Sequence, residues 1–259
     1  MIPVFCINLK RAEERRLFME TEWTEKRGIP LNFFDAVDRR YVENEDFVYK
    51  YPFSSGDFPK DFVVTKNHIS SNYFSNNKKK YKNPFWDKLP KFRPRRLFHS
   101  EICVLNSHLM LMKQIIDSGV EEAVILEDDA KPLFNSYGFF ETINLCKEYA
   151  KNQNLNMNIL SLAKPRGGCF CYSKNNNFSV LSRLVYGMEG YYYSRKGLIL
   201  MYEQAKKMYH PIDSVVSFGL IEQREFNIVN TPLLVHLNTT TYNIDCPGRH
   251  FRQEGGEMP

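Results

Sequence analysis

The chain has 259 residues, 43% of them hydrophobic and 25% charged, with a formal net charge of +5. That is ordinary globular composition, too apolar for a disordered chain and too weakly basic to argue for nucleic acid by itself. No apolar run approaches the roughly 18 residues of a membrane span. The six cysteines, Cys6, Cys103, Cys146, Cys169, Cys171 and Cys246, are scattered rather than spaced as a zinc or disulfide framework.

The N-terminus, MIPVFCINLK, has no basic region ahead of its apolar run, so residues 2–9 read as a buried parallel strand rather than a leader. The expectation is a cytoplasmic protein with free thiols, in which the acceptor triplets at Asn177 and Asn238 carry little weight. The segment RAEERRLFMETEWTEKRG has helix-forming composition and stops at Gly28, and PLNFFDAVD follows as a second strand. Residues 42–97, rich in Asn, Lys, Pro, Phe and Tyr, keep no period and read as an irregular insertion or lid. A helix over about 100–118 follows from Ile102, Leu105, Leu109, Met112, Ile115 and Ile116 at three- and four-residue steps, with Gly119 as its stop. The strand AVILE, a helix near 137–150 and a strand near MNILSLA come next, then a variable stretch with an NNN run. YYYSRKGLILMYEQAKKMY gives a strand and a helix capped by Ser194, TPLLVHL a last strand, and residues 238–259 a polar tail. The alternation predicts one α/β domain with its ligand crevice beyond the carboxyl ends of the strands.

AVILEDDA places three carboxylates, Glu127, Asp128 and Asp129, where a buried strand opens into that crevice. In an extended chain Glu127 and Asp129 share one side and Asp128 takes the other. Two carboxylates aimed together make a site for Mn²⁺ or Mg²⁺, which can bridge the phosphates of a nucleoside diphosphate. A solvated acidic turn is the plainer alternative.

Five stretches, VFCINLKRAEERR, FDAVDRR, HSEICVLNSHLMLMKQI, AVILEDDA and GMEGYYYSRKGLIL…PIDSVV, stand in order over residues 4 to about 216. Together they resemble glycosyltransferase family 25, which holds bacterial lipooligosaccharide galactosyltransferases and procollagen galactosyltransferase domains. Some positions depart from the family pattern: Cys103 and Arg39 stand where glycine is usual, Asn106 replaces a small residue, and VHLNTTTYNIDCPG differs after the last strand. The resemblance implies an A-type glycosyltransferase fold, a Rossmann-like mixed sheet flanked by helices, and transfer of a hexose, galactose first, from a UDP-sugar to a saccharide or hydroxylysine-type hydroxyl, with inversion.

On that resemblance Asn8, Arg11 and Arg15 hold the uridine end, where a helix start and two arginines already suit an anion. Arg16 is a candidate alongside Arg15, and the alternative for both is a helix whose arginines pair with Glu13, Glu14 and Glu20. Asp38 is a candidate for the uracil or ribose, or a turn cap. Ser107 and His108 belong to a family motif near the donor, although an inward His on the Leu105–Leu109 stripe also suits a core; Glu101 is a further candidate to orient the donor sugar. Glu127 and Asp129 would hold the cation, Asp128 the ribose or donor sugar, and His236 is a candidate third metal ligand. Asp213 is the first choice of base, with an N-cap role as its alternative, and Glu189 and Glu222 stand behind it. The basic, aromatic stretch 78–96 suits an acceptor flap, a peripheral contact with anionic lipid, or a solvated loop. Two rival readings stay open: a catalytically silent nucleotide-sugar or glycan-binding module, and a metal-dependent phosphohydrolase.

Overall fold

The computed structural model describes residues 1–38, 40, 99–152, 154–155, 157–163, 171–175, 178–181, 189–208, 212–215 and 228–236. The expected insertion over 42–97, the basic stretch 78–96, Glu222 and the tail over 238–259 lie outside them.

Nine strands among the described residues form one mixed sheet in the order β2-β1-β3-β8-β5-β9-β7-β6, with β4 pairing β9. They are β1 (Val4–Asn8), β2 (Leu31–Asp35), β3 (Glu122–Glu127), β4 (Ala130–Pro132), β5 (Ile159–Ala163), β6 (Cys171–Asn175), β7 (Phe178–Leu181), β8 (Gly190–Ser194) and β9 (Ile228–His236). β1 lies parallel to both β2 and β3, whereas β8 runs antiparallel between β3 and β5. The helices are α1 (Glu13–Met19) running into a π-helical segment (Glu20–Glu25), α2 (His99–Asp117), α3 (Ser136–Asn152), α4 (Arg195–Met208) and the short α5 (Ile212–Ser214).

Period-two alternation divides the buried residues between two faces. Ile7, Ile125, Tyr191 and Tyr193 pack with Leu105, Leu109 and Met112 of α2 and Leu198 and Met201 of α4. Cys6, Val124, Leu126 and Tyr192 pack on the opposite face with Met19, Trp23 and the α3 residues Phe139, Ile143 and Cys146. Trp23 meets the edge of Phe139 at 5.3 Å, and its indole N–H donates to the Ala130 carbonyl at 2.8 Å. That bond fixes the chain immediately after the acidic residues.

Most elements agree with the periodicities that announced them, and the glycine stops at Gly28 and Gly119 have φ of +67° and +77°. Three strands were not foreseen. β4 is three residues long, too short for a period to register, and β6–β7 form a hairpin across the stretch that read as variable. The first helix also differs: its second half widens into a π-helix, and Arg11 precedes the helix rather than lying on it.

The Tyr-Ser-Arg-Lys-Gly motif serves the fold. Ser194 caps α4, its Oγ accepting the Gly197 N–H at 3.1 Å. A Cβ at Gly197 would stand 2.0 Å from the Asn158 carbonyl oxygen, so the helix docks on β5 only with glycine there.

Candidate active site

β1 connects to β2 on one side, and the chain then returns to place β3 on the other. The carboxyl ends of β1 and β3 therefore flank a topological switch point, where open α/β sheets bind ligands. Asn8 ends β1, and Glu127 ends β3 opposite Ile7.

Asn8 is buried and donates from Nδ2 to Asp128 Oδ2 at 2.8 Å, while its own Oδ1 finds no partner among the described residues. Arg15 closes the corner, Nη1 at 2.9 Å from Asp128 Oδ1 and Nη2 at 3.4 Å from Asp129 Oδ2. Strand alternation holds through Asp128 and fails at Asp129. The chain turns at Asp128–Asp129 to start β4, so Asp128 and Asp129 converge on Arg15 while Glu127 stays on the α2 side. Across that turn Asp129 is still the largest charge acting on Glu127, ahead of Asp128.

Arg11 reaches Asp38, Nε to Oδ2 at 2.8 Å, and Arg40 adds its backbone N–H to Asp38 Oδ1 at 3.0 Å. Burial alone would raise the Asp38 carboxyl; the Arg40 N–H and the two guanidiniums outweigh it and hold the pKa below its ordinary value. Arg16 keeps to the helix, pairing with Glu20 at 3.1 Å and lying over the Phe33 ring.

Ser107 is committed to the backbone. Its Oγ donates to the Cys103 carbonyl at 2.7 Å and accepts the buried Val37 N–H at 2.9 Å, tying α2 to the loop that carries Asp38. One residue on, His108 is buried, with Nε2 3.4 Å from Glu127 Oε1 and Nδ1 without a partner among the described residues. Burial lowers its pKa to about 4 against the opposing pull of Asp213, so the ring is neutral near pH 7. Burial, then Asp129, Asp128 and Asp213, push Glu127 up to about 8. Asp128 is also raised, by burial first, despite Arg15 and Asn8.

Asp213 lies in the first turn of α5, and its field reaches both His108 and Glu127. Glu189 is buried, and its carbonyl accepts the Glu127 N–H at 3.1 Å. His236 is opposite Ala130 in the β4–β9 ladder, which brings its backbone beside the acidic turn; its side chain, like that of Glu101, lies outside the described residues.

Asn8, Arg11, Arg15, Asp38, Ser107, His108, Glu127, Asp128, Asp129, Glu189 and Asp213 thus stand around the carboxyl ends of β1, β2 and β3 and the start of β8. Two contributors had no sequence signal. Trp23 anchors the acidic turn, and the buried Tyr193 hydroxyl finds no hydrogen-bond partner among the described residues, in the field of Glu127.

Residues 1–216 match the sequence profile of glycosyltransferase family 25, described as an LPS biosynthesis protein. The chain belongs to that family, and membership supports glycosyltransferase activity, with a sugar donor and a saccharide acceptor. No curated protein matches it. Among solved structures it overlaps apo UDP-glucose pyrophosphorylase, with 8% identity, a TM-score of 0.37, and 90% of each chain covered. A second overlap is mannose-1-phosphate geranyltransferase from Thermus thermophilus, with 8% identity, a TM-score of 0.35, and 90% of this chain and 73% of that one covered. Overlaps this weak carry no functional conclusion. Among the described residues, no helix is long and apolar enough to cross a membrane.

Proposed function

We propose that the protein moves a hexose, galactose first among the candidates, from a UDP-sugar to a hydroxyl of a saccharide or hydroxylysine-type acceptor, with inversion and with help from Mn²⁺ or Mg²⁺. The observation that carries this reading is the meeting of the Glu127–Asp128–Asp129 run with Asn8, Arg15 and the Arg11–Asp38 pair at the β1/β3 switch point of a family-25 chain.

The donor set fits a hard cation. Glu127 carries a pKa of about 8 because burial and like charges leave it short of positive charge, and Asn8 Oδ1 is a buried oxygen still to be satisfied. Among the described residues no three His, Cys, Asp or Glu side chains are grouped to hold a metal. A cation here would therefore rest on Glu127 and Asp129, with diphosphate oxygens, water and the candidate His236 completing the shell. Once bound it would take up negative charge developing on the departing diphosphate.

The chain's own residues do the rest. Arg11 and Asp38, with Asn8, orient the nucleoside, and Asp128 supports the ribose or donor sugar. His108, neutral and enclosed, holds the Glu127 carboxyl and excludes water behind it. The acceptor oxygen attacks the anomeric carbon as the bond to the diphosphate breaks, and the hydroxyl proton passes to a base. Asp213 suits that role better than Glu189, because Asp213 is half-buried and can meet an incoming hydroxyl, whereas Glu189 is 3% exposed. Contact with anionic lipid through residues 78–96, and a location at the cytoplasmic membrane face, belong to the same proposal.

The test is a UDP-sugar panel read by Mn²⁺-dependent thermal stabilisation, followed by product analysis with a panel of acceptors. A glycosylated product with inverted linkage supports the transferase. Nucleotide-sugar cleavage that no acceptor diverts would assign a phosphohydrolase, and binding without turnover a silent module.

A further inference from the structure

We propose that Arg15 is a resident counter-cation of the acidic turn, which yields Asp129 to the incoming divalent ion and swings onto the donor's diphosphate. The inference rests on the cation-dependent reading above and deepens it.

One guanidinium spans both carboxylates, at 2.9 Å from Asp128 and 3.4 Å from Asp129. The second arm is near the limit of a hydrogen bond and opens first. The two acids are enclosed, with side chains 10% and 8% exposed, but the Arg15 side chain is 33% exposed and has room to leave. Asp128 would not be stranded by that movement, since Asn8 Nδ2 holds its Oδ2 at 2.8 Å.

A divalent ion and a guanidinium on the same carboxylate repel each other, so for the protein alone the two compete. A diphosphate reverses the sign. Its oxygens accept the freed guanidinium in the two-pronged geometry that arginine makes with phosphates, while also binding the cation. The fold then favours cation and nucleotide together over either alone, and the coupling passes through one side chain. A purely structural Arg15 predicts something else, because its removal would weaken every ligand alike.

The experiment measures binding of Mn²⁺ alone, and then of UDP in saturating Mn²⁺, to the full chain and to Arg15→Gln and Arg15→Lys. The expected result is crossed. Arg15→Gln should bind Mn²⁺ alone on the order of 10-fold more tightly, and UDP with Mn²⁺ on the order of 10-fold more weakly. Should Arg15→Gln not fold, Arg15→Lys carries the test, since its single ammonium cannot span both acids and the same crossing should appear at smaller size. Unchanged or weaker Mn²⁺ binding by the folded variants overturns the proposal. If the parent chain binds Mn²⁺ neither alone nor with UDP, the cation reading falls and this one with it. If it binds Mn²⁺ with UDP but shows no crossing, only the role of Arg15 falls.

Discussion

Toward α1, the acids of the switch point have cations in place: Asp38 meets Arg11 and Arg40, while Asp128 and Asp129 share Arg15. Toward α2, Glu127 lies beside a buried neutral imidazole, and Asp213 adds its negative field. The consequences diverge for one chemical group. Asp38 is held below the ordinary carboxylate range and Glu127 is pushed up to about 8. A carboxylate already ionised and already bonded is suited to fixing the orientation of a polar ligand. One that is short of positive charge is suited to a cation or a proton, which is where chemistry concentrates. The acidic run is thus divided at the turn that ends β3 between a positioning half and a reacting half.

The largest effect should come from the residue where the halves meet. Asp129→Asn keeps shape and removes charge, and Arg15 retains Asp128, so the fold should survive. Mn²⁺-dependent UDP binding should be lost and kcat/KM should fall by more than ~100-fold, since even residues that only support a metal ligand cost 10- to 100-fold. Calorimetry with UDP, with and without Mn²⁺, checks it; a variant that binds UDP like the parent removes Asp129 from the cation site.

Next in size is Asp213→Asn. As a base, Asp213 is worth on the order of 10²-fold in kcat with donor affinity nearly unchanged. If Asp213 only caps the first turn of α5, the isosteric Asn caps nearly as well and activity survives. A fully active variant would hand the base to Glu189 or Glu222.

The sheet and its helices were legible in the sequence because burial imposes periods that survive in residue order. Leu105, Leu109 and Met112 announce α2, and the unbroken apolar run VFCI announces a strand covered on both faces. Local caps were legible for the same reason: Ser194 and Gly119 act within a few residues. What sequence could not give is direction where the chain turns. The step from Asp128 to Asp129 breaks the alternation that joined Glu127 to Asp129, and no local pattern links Trp23 to the Ala130 carbonyl across 107 positions. Family motifs also mix ligand contacts with scaffold. Within one Ser-His pair, Ser107 fastens a loop while His108 lines the reacting half.

Ser107 tests that distinction. Ser107→Ala leaves the buried Val37 N–H unsatisfied, at a cost of about 1–3 kcal/mol. A lower Tm with UDP affinity nearly intact is expected by differential scanning calorimetry and titration. A stable variant with weakened UDP binding would move Ser107 into direct contact with the donor.

The smallest effect is a stability profile with pH, read with a chelator present so that Glu127 and His108 titrate without a cation. Glu127 has a folded pKa of about 8 against 4.5 ordinarily, so between those values the folded state keeps a proton that the unfolded chain has lost. Its stabilisation is complete below 4.5 and disappears as the pH rises to 8. His108 does the reverse: with a folded pKa of about 4 against 6.5, the unfolded chain takes up the extra proton, so its contribution is present above 6.5 and is lost on acidification toward 4. Between about 4.5 and 6.5 the two slopes cancel, because folded and unfolded chains then hold one proton each on this pair. From 6.5 to 8 only the Glu127 slope remains. The pair should therefore add a flat contribution to the Tm between about pH 4.5 and 6.5 and a declining one up to pH 8. In His108→Gln the compensation is gone, and the decline should begin near pH 4.5 instead. If the difference in Tm between parent and His108→Gln is the same at about pH 5 and about pH 7, the fold does not lower the His108 pKa; if His108→Gln shows no decline above pH 4.5, Glu127 is not raised, and the α2 side loses the charge-starved character that sets it apart from the α1 side.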